Sequence, residues 1–176
     1  MTDVSVIVNL HREGRICEAT FESVLAAARL AKDHGISLEI ISIIDNGDAD
    51  TLDAVGRYDK FIKIHECRLG DLSQARNFGV SVSSGRFVTF IDGDDLWGTE
   101  WLVRCLDTIS KYSNEKVIIH PQLNLYFGKN TKSNFWVHAD MIADKTDLVD
   151  IFISNRWTAL CFAGREVFEN FPYVRN

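Results

Sequence analysis

The amino-acid sequence predicts an α/β protein with a mostly parallel sheet flanked by helices, and three observations carry that reading. Short β-branched runs alternate with longer segments of helical period. Four of the runs, at residues 4–10, 38–44, 61–66 and 86–91, are nearly continuous in apolar side chains, as strands covered on both faces are. Beyond Asn114 the pattern changes to runs at 117–127 and 135–138 around the polar turn Gly128-Lys129-Asn130-Thr131, which predicts a small antiparallel portion near the C-terminus.

The elements follow in order. Between the first two strands, Ile16, Ala19, Thr20, Ser23, Val24, Ala27, Leu30 and Ala31 form a helical stripe over 16–34, ended by Gly35. A shorter helix is expected at 51–58. Lys63 and Glu66 mark the third strand as a sheet edge. Asp71 is placed to accept the free N–H groups that begin a helix running to about Ser84, with Gly85 supplying its C-terminal turn. Thr99 is the expected cap of a helix through Tyr112. A helix at 146–154, a strand at 158–163 and a helix begun by Gly164-Arg165-Glu166 complete the chain.

At 176 residues the sequence is read as one domain, with no internal repeat or linker. Hydrophobic residues make up 46% and charged residues 25%, the balance of a folded protein. A net charge of −6 argues against a nucleic acid polymer as partner, because a phosphate backbone needs clustered Lys and Arg. Cys17, Cys67, Cys105 and Cys161 are scattered and show no metal-binding spacing, so four buried thiols in a reducing compartment are expected. Met1-Thr2-Asp3 leads straight into an apolar strand without a basic leader, and no stretch is long enough to cross a bilayer. The expected location is the cytoplasm, with any peripheral attachment at the inner membrane face left to regions outside this chain.

The chemistry concentrates in one loop. The run Phe87-Val88-Thr89-Phe90-Ile91 drives a buried strand into Asp92-Gly93-Asp94-Asp95, so three carboxylates emerge at the carboxyl end of a core strand, where open α/β sheets bind ligands. Three acids in four residues repel one another, and a cation relieves that repulsion. Hard oxygen ligands favour Mg2+ or Mn2+, which bind through one or two carboxylates plus substrate phosphates. Gly93 leaves room for a close approach. The plainer alternative is a solvated acidic turn capping the next helix.

Four segments, in order, resemble the family 2 glycosyltransferases of GT-A fold. Val4-Ser5-Val6-Ile7-Val8 resembles the family's first strand, although Asn9-Leu10-His11-Arg12 stands where the family has Pro-Thr-Tyr-Asn. Ile44-Asp45-Asn46-Gly47-Asp48-Ala49-Asp50 resembles the strand ending in Asp-Asp-Gly-Ser-x-Asp. Leu72-Ser73-Gln74-Ala75-Arg76-Asn77-Phe78-Gly79 resembles the Leu-Ser-x-Ala-Arg-Asn-x-Gly helix, and the segment from Ser84 to Asp95 resembles the core strand and metal-binding loop. The resemblance implies a nucleotide-sugar site in which His11 stacks on the base, Asp45 reads it, Arg76 engages base or phosphate, Asp92 faces the ribose with Gly93 beside it, Asp94 holds the metal and Asp95 assists. A carboxylate can accept a uracil-type imide N–H, and a thymidine or guanidine-bearing base could donate similarly; a UDP-sugar is the favoured donor.

By the same resemblance, residues 1–98 form the nucleotide-sugar-binding half and 99–176 an incomplete acceptor-side half. The implied reaction moves a sugar from a nucleotide-diphosphate to an acceptor hydroxyl on a glycan or lipid-linked acceptor, with inversion at the anomeric carbon and a metal offsetting charge on the departing diphosphate. Inversion needs a carboxylate base. Cys161 to Glu169 resembles the lead-in to the motif that carries it, which places the base beyond Asn176 in a longer protein. His120, His138 and Trp157 are candidates for lining an acceptor pocket. Two alternatives stand beside this reading: a domain that binds a nucleotide sugar without transferring it, and a haloacid-dehalogenase-type phosphohydrolase, whose motif wants Thr or Ser where Leu96 stands.

Overall fold

A computed structural model describes residues 2–112, 117–128, 131–138 and 160–175. In chain order the elements are β1 (Val4–Leu10), α1 (Ile16–Asp33), β2 (Leu38–Asp45), α2 (Ala49–Gly56), β3 (Lys63–Cys67), α3 (Leu72–Val82), β4 (Phe87–Asp92), α4 (Trp101–Ile109), β5 (Ile118–Ile119), β6 (Leu123–Gly128), β7 (Thr131–Val137), β8 (Phe162–Gly164) and α5 (Arg165–Asn170). Six strands form one sheet in the order β3-β2-β1-β4-β8-β5, and β6 pairs with β7 in a separate hairpin. The β1–β2, β1–β4 and β2–β3 pairs are parallel, whereas β8 runs antiparallel to both β4 and β5. This is the mixed α/β architecture that the periodicity predicts, with β3 at an edge as its Lys63 and Glu66 require.

Successive side chains of a strand point to opposite faces, and the two faces carry two cores. On one, Val4, Val6, Val8 and Leu10 pack with Phe21 and Val24 of α1, Val55 of α2 and Leu102 of α4. On the other, Ile7 packs with Ile41, Ile43, Val88 and Phe90 against Ala75 and Val80 of α3 and Phe168 of α5. Phe21 stacks on Tyr58 at 4.8 Å, and Phe90 meets Phe168 edge-on at 5.1 Å.

Helix ends follow local chemistry, with several departures from expectation, among them the end of α4 at Ile109, three residues short of Tyr112, and of α2 at Gly56. Gly35 ends α1 at φ 77°, with its N–H on Lys32 and that of Ile36 on Ala31, the paired bonds of a Schellman motif. Asp71 caps α3 through the Gln74 N–H at 2.9 Å. Asp48 caps α2 through the Thr51 N–H, so that helix begins at Ala49, two residues before its expected start. Thr99 is not a cap: Glu100 occupies that position of α4 without a side-chain bond. Nor does Gly85 turn the end of α3, which Ser83 closes in extended conformation. A Cβ on Gly85 would collide with the backbone of Val4 and Ser5, so that glycine lets the chain entering β4 lie against β1.

The C-terminal third differs most from expectation. The run at 117–127 splits at Pro121 into β5, which joins the main sheet, and β6, which forms the hairpin. Proline cannot donate to a ladder, and it marks the break. The strand expected at 158–163 is shorter at its start, since Leu160 and Cys161 lie outside it and β8 runs from Phe162 to Gly164, one residue past its expected end; α5 starts where Gly164-Arg165-Glu166 placed it. The helix expected at 146–154, Trp157 and the turn residues Lys129 and Asn130 lie outside the described residues. Cys17, Cys105 and Cys161 are buried free thiols, while Cys67 is only half-buried. No described helix is long and apolar enough to cross a membrane.

At the amino ends of the strands, Glu39 ties the sheet together. Its carboxylate accepts from Ser5 Oγ (2.7 Å), the Ser84 N–H (2.6 Å), Ser84 Oγ (2.8 Å) and Lys63 Nζ (2.7 Å), joining β2 to β1, β3 and the turn before β4. Burial alone would raise its pKa; the hydrogen bonds from Lys63, Ser5 and Ser84 outweigh that and bring it down to about 2 from 4.5. A folded-state pKa below the unfolded value contributes stability that is full above pH 4.5 and is lost as the pH falls toward about 2. Glu39→Gln is expected to cost about 1–3 kcal/mol at pH 7, since it leaves buried donors poorly paired. Urea melts at pH 7 and pH 3 check this: the gap between the variants should narrow on acidification.

Candidate functional site

The carboxyl ends of β1, β2 and β4 lie side by side, and the period of two decides what they present. Asn9 is in register with Ile43 of β2 and with Asp92 of β4. Ile43 packs into the α3-side core, so Asn9, Asp92 and Asp45, two residues beyond Ile43, all stand on that face. Above them opens a cavity of about 400 Å³ lined by Asn9, Leu10, His11, Glu13, Asp45, Gly70, Asp71, Leu72, Ala75, Asp92 and Asp94. Four of the seven expected site residues, His11, Asp45, Asp92 and Asp94, therefore border one space.

The other three stand behind it. Arg76 is 8% exposed, and its Nη2 donates to both oxygens of Asp92, at 2.9 and 3.0 Å. Its guanidinium lies 5.4 Å from the centre of the Tyr173 ring, and that residue is anchored by reciprocal bonds between its backbone and the Asn77 carboxamide, each 2.9 Å. Gly93 is buried and outside the cavity lining; a Cβ there would strike Leu10 and approach Glu13. Its backbone is fixed by N–H donation to Asn9 O (2.9 Å) and by Thr20 Oγ1 donating to its carbonyl (2.8 Å). The close approach that this glycine allows is to the protein's own chain.

Asp45 holds the protein more than it faces outward. Only 6% exposed, its carboxylate accepts the Leu69 N–H at 2.6 Å, the Asp71 N–H at 3.2 Å and Asn46 Nδ2 at 3.0 Å. The bonds from Leu69 and Asp71 shape the loop between β3 and α3, where Gly70 turns at φ 65°, while Asn46, at φ 55°, turns the chain just after β2. Oδ1 is saturated, and Oδ2 keeps one lone pair for a ligand. His11 is exposed, with Nδ1 donating to the Asp45 carbonyl and its N–H to Glu13 Oε2, so its ring is held at the rim of the cavity.

In the acidic loop, the Asp95 N–H donates to Asp92 O at 3.0 Å and turns the chain back on itself. Asp94 is exposed at the mouth of the cavity and Asp95 is half-buried behind it. Burial, then the charges of Asp92 and Asp94, push the Asp95 carboxyl up to about 6, against the opposing pull of Arg76. Among the described residues, no three His, Cys, Asp or Glu side chains converge into a cage for a cation. The donor set is one or two carboxylates with surplus negative charge, which suits a Mg2+ or Mn2+ ion that completes its shell with water and phosphate oxygens.

One residue that sequence reasoning passed over is Asn9. It is 3% exposed, yet neither its Nδ2 nor its Oδ1 has a hydrogen-bond partner in the protein. A buried amide left unpaired costs roughly 1–3 kcal/mol. The sequence signal was present: a carboxamide in the otherwise apolar end of the first strand. His120 and His138 do come together, edge-on at 5.5 Å, with His138 buried and Trp136 beside it at 6.3 Å.

Comparison with known proteins places this geometry. A glycosyltransferase named GlyG from Streptococcus pneumoniae is 30% identical over 98 residues, covering 53% of this chain and 30% of that protein. The poly(ribitol-phosphate) beta-N-acetylglucosaminyltransferase TarP of Staphylococcus aureus is 29% identical over 117 residues, covering 65% of this chain and 34% of that one. This chain thus spans about a third of the length of these relatives. Among solved structures, S. aureus TarS 1-349 in complex with UDP-GlcNAc superposes with a TM-score of 0.68 at 21% identity, over 96% of this chain and 47% of that one. The mannosyltransferase PcManGT of Pyrobaculum calidifontis, in complex with GDP-Man and Mn2+, superposes with a TM-score of 0.62 at 15% identity, over 95% and 46%. Both likenesses concern the GT-A fold. The model of the glycosyl transferase family 2 matches residues 5–169, nearly the whole chain, and sets aside the phosphohydrolase reading. This chain belongs to glycosyl transferase family 2.

Proposed function

We propose that the chain binds a nucleotide-diphosphate sugar, with a UDP-sugar favoured, in the cavity at the carboxyl ends of β1, β2 and β4, and that the protein transfers that sugar to a hydroxyl of a glycan or lipid-linked acceptor. The observation that carries this is the convergence of His11, Asp45, Asp92 and Asp94 on one cavity. The complexes of TarS with UDP and UDP-GlcNAc, and of PcManGT with GDP-Man and Mn2+, support a nucleotide-sugar donor and a divalent cation.

In this reading His11 offers a ring face to the base at the rim, and Asp45 uses its remaining Oδ2 lone pair. Asp92, oriented by Arg76, accepts from the ribose. Asp94, with Asp95 behind it, holds Mn2+ or Mg2+, which when bound offsets the charge developing on the departing diphosphate. The acceptor oxygen bonds to the anomeric carbon as the bond to the diphosphate oxygen breaks, the configuration inverts, and a base accepts the hydroxyl proton. Glu166 and Glu169 are not assigned that role, because both side chains are exposed on α5, and Glu169 is near Arg165 at 3.8 Å.

Calorimetric titration of UDP into the chain tests the reading. Binding is expected with manganese, and at least about tenfold weaker with the metal chelated. Asp94→Ala should abolish the metal-dependent part while leaving the melting temperature within a few degrees, because that side chain is exposed. No heat from UDP in the presence of manganese would sink the proposal.

Arg76→Ala has a different expected signature. It removes the partner of a half-buried carboxylate and the cation over Tyr173, so it should cost about 1–3 kcal/mol of stability and also weaken UDP binding. Arg76→Lys should recover only part of each, since the shorter-headed ammonium lacks the planar guanidinium that reaches Asp92 through Nη2 while lying over Tyr173. Thermal melts with and without UDP and manganese measure both effects.

A further inference from the structure

Asn9 is the buried polar group that the proposed mechanism leaves without a task. Strand β1 is central in the sheet, and its other side chains on this face are Ser5, which is bonded to Glu39 and the Gly85 N–H, and Ile7, which is core. Asn9 alone among them has a polar head with no protein partner, and it borders the cavity between Asp45 and Asp92. Both neighbours are committed: Asp92 to Arg76, Asp45 chiefly to the β3–α3 loop. A carboxamide left free at such a position offers a donor and an acceptor side by side.

Its depth selects what it can touch. Asp94, the carboxylate placed to hold a metal-bound diphosphate, is exposed at the mouth, whereas Asn9 is 3% exposed on the floor. A neutral group with no positive charge is a poor partner for phosphate in competition with a metal. It is well matched to a group that both donates and accepts.

We propose that Asn9 is a donor-binding residue of this chain, whose carboxamide hydrogen-bonds the nucleoside end of the nucleotide, at a base edge or a ribose hydroxyl, and so sets nucleotide affinity. This rests on the nucleotide-sugar reading of the cavity. The resemblance offers no such contact, because proline, which has no side-chain donor or acceptor, stands at this position in the family pattern. The unpaired amide is then a cost in the free protein that the ligand relieves.

The test uses the whole chain with manganese. Asn9→Ala is expected to raise the Kd of UDP and of UMP by the same factor, about tenfold, and to leave the Kd of pyrophosphate unchanged. Asn9→Leu, close in shape and without polar atoms, is expected to raise the melting temperature while weakening UDP binding similarly, and it carries the test should the alanine variant fold poorly. Repeating the titration with 2′-deoxy-UDP and with 3′-deoxy-UDP separates the two sources: a penalty that vanishes with either assigns that ribose hydroxyl, and one that persists with both assigns the base edge.

Unchanged UDP affinity in folded Asn9 variants overturns the inference, as does an equal loss for pyrophosphate. A lower melting temperature for Asn9→Leu with unaltered affinity would make the amide structural and overturn it too. If Asp94→Ala still weakens UDP binding in those cases, the donor reading stands without Asn9. If the unaltered chain binds no nucleotide, both fall.

Discussion

The central strand β1 is hydrogen-bonded in parallel along both edges, to β2 and to β4, and that double pairing fixes what stands at the carboxyl end of the sheet. Register is strict where both faces are buried, because a slip of one residue would send each core side chain to the opposite face. With Val6 and Val8 committed to the α1 side and Ile7 to the α3 side, Asn9 and Asp92 have one permitted orientation. The polar groups of the site thus inherit their positions from aliphatic packing several residues earlier. Shifting β4 by one residue would turn Asp92 away from Arg76 and remove the site without touching an acidic residue.

The acidic loop is held under electrostatic tension that the protein relieves only in part. Arg76 compensates Asp92, and Tyr173 covers the guanidinium from the far side, so this cation is kept in place by α3 and by the C-terminal segment that Asn77 anchors. Asp95 and Asp94 receive no such partner, and the Asp95 carboxyl is pushed up first by burial and then by the charges of Asp92 and Asp94. The divalent ion proposed above would supply the missing charge without demanding a rigid cage, in keeping with the one or two carboxylates available.

How much of this was legible depended on the range of the interaction. The first four strands, the Gly35 terminator and the Asp71 cap are local signals, written within a few residues, and the structure has them within two positions. Gly85 and Thr99 misled because a glycine or threonine near a helix end has other uses: the need for Gly85 comes from Val4 and Ser5, some 80 residues away in the chain. Asp45 was recognisable as a site residue, yet its main partners, the N–H groups of Leu69 and Asp71, carry no side-chain signature. The 117–127 run looked like one strand because its apolar composition is continuous, and Pro121 had to be weighed against it. Asn9 was seen only as a departure from a family pattern, since its lack of a partner is a property of the folded surroundings.

The two ends of the same sheet resolve buried polarity in opposite ways. At the amino end, Glu39 collects four hydrogen bonds from Ser5, Lys63 and Ser84, and the Ser5 hydroxyl in turn accepts from the Gly85 N–H; the network closes on itself. At the carboxyl end, the Asn9 carboxamide and Arg76 Nε are buried without protein partners, and Asp95 is left near two like charges. Ser42 Oγ and Trp97 Nε1 are also buried without a partner, but Asn9 differs from them in bordering the cavity, where helices leave the strand ends open and an external ligand can supply donors, acceptors and positive charge together.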